Sequence, residues 1–220
     1  MNAPACSSPS ATASFACFRS RQLISLRIVG ILLAAGRGAR FGGAKLLAPL
    51  PAASHGVGAG TAVGIASLRH LLTVVPEVIA VVRPGDSMLG GQLAEEGARV
   101  VECPGADSGM GASLAFGVAA CADAQGWIVA LADMPWIAPS TIQSVADALR
   151  AGAAIVAPSY HGERGHPVGF AEHFRDQLMG LAGDEGARTI LAARKEVIHM
   201  VAVMDPGILR DVDSAADLRA

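Results

Sequence analysis

The stretch Leu33-Ala34-Ala35-Gly36-Arg37-Gly38-Ala39-Arg40-Phe41-Gly42-Gly43-Ala44-Lys45 concentrates glycines and cations. Glycines let backbone N–H groups converge on phosphate oxygens, and Arg37, Arg40 and Lys45 offset the charge that remains. Lys45 and Lys195 are the only lysines in the chain, so a lysine here is not background. The string is not a P-loop, because Leu46 follows Lys45 where Ser or Thr is required. Nor is it a dinucleotide fingerprint, since Gly36, Gly38 and Gly42 lack the G-x-G-x-x-G spacing. Binding of a polyphosphate is the chemistry it supports; a plain Gly-rich turn is the alternative.

A second candidate is Asp133, which follows the apolar run Trp127–Leu131 and precedes Met134 and the chain-turning Pro135. Mg²⁺ is held through one or two carboxylates plus substrate phosphates and keeps several waters, and Asp133 is placed to supply one such ligand. Gly109-Met110-Gly111-Ala112-Ser113 opens a helix, where Ser113 either faces a ligand or simply caps. The histidines have no metal-ligand spacing, and neither a Ser/His/Asp nor a Cys/His arrangement is visible.

These residues need elements to position them. Ile28–Ala34, Val78–Val82, Arg99–Glu102, Trp127–Leu131, Ala154–Ala157 and Val197–Val203 read as strands, several of them continuous apolar runs of the kind buried on both faces. Helical stretches lie between them at roughly 58–73, 87–96, 110–121, 140–151, 172–181 and 187–195. Repeated strand–helix–strand order predicts an α/β fold: a three-layer, mostly parallel, Rossmann-like sheet with right-handed crossovers. Ligands of such sheets lie beyond the carboxyl ends of the strands, where the glycine string and Asp133 both fall. Residues 1–26, rich in Ser, Ala and Pro without periodicity, read as a flexible leader before a single domain over 27–220.

Composition narrows the function class. With 52% hydrophobic and 16% charged residues, the chain is far from the signature of disorder. Cys6, Cys17, Cys103 and Cys121 form no C-x-x-C pair, which argues against a zinc site or a disulfide framework. No apolar run reaches about 18 residues and no compact secretory h-region is present, so a cytoplasmic protein is expected. A net charge of -2 argues against a general nucleic-acid binder. All seven charged side chains before Glu77 are basic, a distribution suited to a segment that handles a polyanion.

L-A-A-G-x-G-x-R-x-G-x-x-K after a first strand resembles the signature loop of the nucleotidyltransferases that make molybdenum cofactor dinucleotides, the guanylyl and cytidylyl branches together. Leu131-Ala132-Asp133-Met134-Pro135 is similar to that family's metal site. Arg164-Gly165-His166-Pro167-Val168-Gly169-Phe170 and Gly183-Asp184-Glu185-Gly186-Ala187-Arg188 resemble its R-G-H-P-V-x-F and G-D-x-G-A-R elements. Asp211-Val212-Asp213-Ser214-Ala215-Ala216-Asp217-Leu218 resembles its C-terminal close. Five elements in the family's order span residues 28–218.

The resemblance implies transfer of CMP from CTP to the phosphate of molybdenum cofactor, with pyrophosphate released and Mg²⁺ as cofactor. It implies catalytic roles for Lys45, Arg40 and Asp133, and Mg²⁺ ligation by Asp133 and Asp213; turn and capping chemistry is the alternative for Asp213. Leu33, Ala34, Ala35, Gly36, Gly38, Arg40, Lys45, Gly109 and Ser113 would bind the nucleotide. Arg164, His166, Asp184 and Arg188 fall in elements similar to the half that receives molybdopterin, although His166 is equally readable as an inert turn residue before Pro167. Transient contact with a molybdenum hydroxylase follows from the same resemblance. The guanylyl branch has a second Gly at the place of Ala35 and Asp at that of Ala44, so this chain is closer to the cytidylyl pattern. Competing readings are a GTP-using relative, a transferase to another phosphate acceptor such as a sugar phosphate, and a non-catalytic cofactor carrier. Pro51–Gly60 (PAASHGVGAG) departs from the family's compact polar turn and leaves the backbone near the nucleotide open.

Overall fold

Buried apolar strands form the centre of the computed structural model, which describes residues 1, 26–38 and 41–219. β1 (Ile28–Leu33), β2 (Val78–Val82), β3 (Arg99–Glu102) and β4 (Gly126–Leu131) pair in parallel in the order β3-β2-β1-β4. β5 (Ile155–Tyr160) belongs to the same sheet, and β8 (Ile198–Ala202) pairs with it in parallel. The register Leu33↔Leu131 brings the carboxyl ends of β1 and β4 level. The glycine string and Asp133 therefore leave the sheet side by side.

Between β4 and β5 lies β7 (Val168–Ala171), antiparallel to both, with the two-residue β6 (Glu163–Arg164) pairing β5 above it. The sequence reading contains neither strand. β7 has four residues, one of them Gly169, and its place is set by pairing with strands distant in the chain. The sheet is thus mostly parallel with an antiparallel insertion.

Helices cover both faces. α1 (Val63–Leu72), α2 (Ser87–Glu95) and α4 (Pro139–Arg150) pack on the face that includes Leu32, Ala80, Ile128 and Val156. α3 (Met110–Ala119), α5 (Arg175–Met179) and α6 (Arg188–Ala193) belong to the face that includes Ile31, Val81, Trp127 and Phe170. Alternate residues of β1 serve the two cores, as a strand buried on both faces must. Small residues let α3 lie close: a Cβ at Gly117 would stand 2.8 Å from Val81 Cγ2. α1 begins at Val63 rather than near 58, because residues 51–60 form a turn held by the Ser54↔Val57 and Pro49↔Ala62 bridges. The helix expected at 172–181 splits into a 3₁₀ turn (Glu172–Phe174) and α5. The leader expected at 1–26 lies almost wholly outside the described residues.

The segment after β8 is fastened to α4 by Asp205, a buried carboxylate. It accepts from the N–H of Ala138 at 2.8 Å, the hydroxyl of Thr141 at 2.7 Å and the N–H of Gly207 at 2.9 Å. Asp205→Ala leaves these donors without their acceptor. It should cost about 3 kcal/mol and lower Tm by roughly 6–12 °C in thermal denaturation, with Asp205→Asn less affected.

Candidate active site

Lys45 enters the 3₁₀ turn Lys45–Leu47 directly after the glycine loop and points to the end of β4. Its Nζ lies 2.7 Å from Asp133 Oδ2 and 3.7 Å from Asp213 Oδ1. The Lys45 and Asp133 side chains are only 12% and 22% exposed. Their neighbours fix the backbone around them. Ala132 N–H donates to Leu33 O at 3.1 Å, Ser67 Oγ to Ala132 O at 2.9 Å, and Val212 N–H to Asp133 O at 2.9 Å. The last of these bonds brings the C-terminal segment, and with it Asp213, to Asp133. The turn and capping chemistry given as the alternative for Asp213 is carried by Asp217, whose carboxylate accepts from the N–H groups of Asp213 and Ser214. Burial, followed by the charges of Asp213 and Asp133, pushes the Asp211 carboxyl above its ordinary value.

A pocket of about 290 Å³ opens beside this cluster. Leu33, Ala35, Gly36 and Lys45 line it from the β1 side, Leu131 and Asp133 from β4, and Gly109, Met110 and Ser113 from the start of α3. Ala34 and Gly38 lie on the other side of the same loop, where a second pocket also meets Lys45. Arg40 lies outside the described residues. Gly109 adopts φ +115°, and a Cβ there would sit on the Asp184 carboxylate and the Gly183 backbone. Gly111 N–H donates to Gly183 O at 2.8 Å, so the 182–184 turn is folded onto the α3 start. Asp184, read from sequence with the acceptor half, therefore lines the same pocket as Gly109. Ser113 is buried and does not cap α3: its hydroxyl donates back to Gly109 O at 3.3 Å, one turn earlier, and the N-cap position is Gly109.

Arg164, His166 and Arg188 do not line this pocket. Arg164 is exposed on β6 opposite Ser159, and Arg188 is exposed at the start of α6. His166 N–H donates to Ile208 O at 3.1 Å, and its ring Nδ1 is buried without a partner. Three charged residues of the pocket are absent from the sequence-based site: Arg37, Arg83 and Asp107. Arg37 and Arg83 both pair with Asp107, Arg37 at 3.0 Å, and together they hold its carboxyl below the ordinary range. The one available signal was position, since Arg83 directly follows a buried strand at the sheet's carboxyl edge.

Among the described residues no group of three or more His, Cys, Asp or Glu could by itself hold a metal ion. Asp133 and Asp213 both approach the Lys45 ammonium, and Asp211 adds a carboxyl at the same edge, oxygen donors of the kind a hard divalent cation takes. The residues fit a divalent ion.

An open α/β sheet with a glycine-and-lysine loop beside an acidic strand end is the arrangement of nucleotidyltransferase folds. Residues 30–197 match the MobA-like NTP transferase domain, and the chain belongs to that family. Nicotine blue oxidoreductase of Paenarthrobacter nicotinovorans is 28% identical over 200 residues, covering 87% of this chain and 94% of that protein. Rv0371c from Mycobacterium tuberculosis H37Rv is 29% identical with a TM-score of 0.75, over 88% of this chain and 95% of that one. Its complex with manganese superposes with a TM-score of 0.70 at 27% identity, over 88% and 96% of the two chains. A divalent metal therefore accompanies a relative of this fold. No described helix is long and apolar enough to cross a membrane.

Burial lowers the His166 pKa to about 4, Arg164 adding to the shift and Asp133 opposing it. Between that value and an ordinary 6.5, the unfolded chain binds more protons than the folded one. The neutral ring's contribution is therefore complete above pH 6.5 and lost as pH falls toward 4. Denaturant unfolding across this window should show a steeper loss for wild type than for His166→Gln, and the wild-type ring should titrate near 4 by NMR. Titration near 6.5 would refute the enclosure.

Proposed function

We propose that the chain transfers the cytidylyl group of CTP to the phosphate of molybdenum cofactor, releasing pyrophosphate and forming the cytosine dinucleotide. The observation that carries this is Lys45 Nζ at 2.7 Å from Asp133, beneath a glycine loop at the carboxyl ends of β1 and β4. The loop backbone and Arg40 bind the triphosphate, and Lys45 stabilises charge as pyrophosphate departs. An oxygen of the acceptor phosphate attacks the α-phosphorus, the bond from that phosphorus to the α–β bridging oxygen breaks, and pyrophosphate leaves with that oxygen. The second pKa of a phosphate monoester is about 6, so the nucleophile is already anionic and needs no general base. Catalysis then rests on positioning and electrostatics. Asp133 and Asp213 would hold Mg²⁺, which supplies charge neutralisation at the transferred phosphoryl group.

CTP is favoured over GTP by Ala35, whose Cβ takes up space in the pocket that glycine would leave, and by Ala44 before Lys45. Molybdenum cofactor as acceptor rests on the resemblance of Arg164–Phe170 and Gly183–Arg188 to the family's elements, with His166, which feels the Asp133 charge, as the residue of these nearest the site. A molybdenum hydroxylase in the cytoplasm is the recipient of the product on this reading. The second reading, an oxidoreductase, is favoured by the name of the Paenarthrobacter relative. It predicts turnover of a reduced nicotinamide cofactor and no pyrophosphate, so one pair of assays separates the two.

Asp133→Asn should keep the fold and lower kcat by about 100-fold or more, a barrier increase near 3 kcal/mol. Near-wild-type pyrophosphate release from a folded variant would remove Asp133 from the mechanism.

Base choice is read from kcat/KM for CTP over GTP, with molybdenum cofactor and Mg²⁺ present. The wild-type ratio should exceed one, and Ala35→Gly should erode it by roughly tenfold, the worth of a methyl group in a pocket. A wild-type ratio below one ends the cytidylyl assignment.

A further inference from the structure

The sheet ends in two edges, and the chain protects only one of them. β3 closes one side and carries exposed charges at both of its ends, Arg99 and Glu102. β8 lies beyond β5 on the other side, and among the described residues it pairs with no other strand. Residues 197–204 (VIHMVAVM) contain no Asp, Glu, Lys, Arg or Pro. The register with β5 runs unbroken from Ile198 to Ala202, so no bulge blunts the strand. Met200 is 42% exposed and Met204 86%. Charge, proline and bulges are the devices that keep an edge from pairing, and β8 has none of them.

Backbone direction defines what this edge presents. Val203 N–H donates to Ser159 O at 2.9 Å, so the odd-numbered residues of β8 face β5. Strand alternation then turns the main-chain groups of Met200 and Ala202 outward, away from the sheet. Ile198 presents its carbonyl there, since its N–H is already given to Lys195 O in the preceding 3₁₀ turn.

We propose that β8 is the docking edge for a second copy of this chain, paired antiparallel about a two-fold axis at Met200. Met200 exchanges both main-chain bonds with the partner's Met200, and Ala202 N–H donates to the carbonyl of the partner's Ile198. The small Ala202 meets the larger Ile198 on one face of the joined sheet, and His199 meets Val201 on the other. A copy suits this edge because two-fold pairing is self-complementary and sets one uncharged strand against another. Lys195 and Glu196 lie about 12 Å from the axis, so like charges of the two copies stand roughly 25 Å apart, beyond the screening length of ~10 Å. Assembly stops at two, because pairing consumes β8 and leaves only the charged β3 edges outside. The inference is independent of the nucleotidyltransferase reading.

The test is sedimentation equilibrium of the full chain over roughly 1–200 µM, with far-UV circular dichroism as the check of folding. Wild type should show a concentration-dependent dimer. Met200→Lys sets two ammonium groups side by side across the axis and should weaken dimerisation by at least about 100-fold. Ala202→Pro removes the outward N–H and spares the ladder to β5, so it should weaken dimerisation by roughly tenfold. Met200→Cys puts two thiols on Cα atoms about 5.5 Å apart and should cross-link on mild oxidation, beyond any product of wild type or of His199→Cys, whose copies stand too far apart. A wild type that stays monomeric at the highest concentration overturns the proposal. So does a dimer that Met200→Lys and Ala202→Pro both leave unchanged, because its contact lies elsewhere. Disruption by Met200→Lys alone makes the contact apolar packing and overturns strand pairing. If either variant fails to fold, the Met200→Cys cross-link decides, and its absence overturns the register and the proposal with it.

Discussion

The ion pair between Lys45 and Asp133 organises the carboxyl edge of the sheet. Its partners are 88 residues apart and sit largely out of water, where loss of either one costs more than at an exposed surface. Lys45 is not matched by a single carboxylate, because Asp213 also approaches it and Asp211 feels both acids. On the proposed reading, carboxylates gathered at this edge accept a triphosphate that arrives with a divalent cation, and the basic loop meets the phosphates the acids do not touch. Charge of both signs at one edge is therefore a requirement of the chemistry rather than a conflict in the design.

Precision at that edge comes from backbone and hydroxyl groups of several segments. β1 receives the N–H of Ala132, α1 sends Ser67 to the Ala132 carbonyl, and the C-terminal segment bonds the Asp133 carbonyl. The 51–60 turn, which departs from the family pattern, sends Ser54 to the Pro135 carbonyl and His55 to that of Trp136. A turn whose backbone the sequence leaves open thus braces the chain just beyond Asp133. Such bracing is what positional catalysis depends on.

What could be read in the sequence, and what could not, follows from how local each signal is. β1, β2 and β4 are legible because strands buried on both faces are near-continuous apolar runs, and Lys45 and Asp133 are legible because they follow two of those runs closely. β7 carries no such signal: its four residues become a strand only between β4 and β5. Asp184 was assigned by its motif neighbours, yet the turn that carries it folds onto α3. Arg83 and Asp107 are 24 residues apart and acquire meaning only as a pair across the ends of β2 and β3. Arg164 and Arg188 are exposed on β6 and α6 and do not line the pocket built at the ends of β1 and β4, because a motif's neighbours in sequence do not fix which strand edge it reaches.

The charge distribution along the chain also acquires a spatial sense. No carboxylate precedes Glu77, so the glycine loop contributes only cations, and the acids at the edge, Asp107, Asp133, Asp184 and Asp213, all come from later segments. On the proposed reading this imposes a direction. The nucleoside points toward β2 and β3, which leaves the opposite flank of Asp133, beside β7 and β5, for the acceptor. His166 stands on that flank, near enough for the Asp133 charge to act on it, and burial keeps its ring neutral. A neutral ring there can approach a phosphate without competing with Lys45 for the Asp133 carboxylate. In-line attack requires nucleophile and leaving group on opposite sides of the α-phosphorus. On the proposed reading, the order β1-β4-β7 sets the glycine loop that would hold the departing pyrophosphate on one side of Asp133 and the acceptor on the other, which meets that requirement by topology.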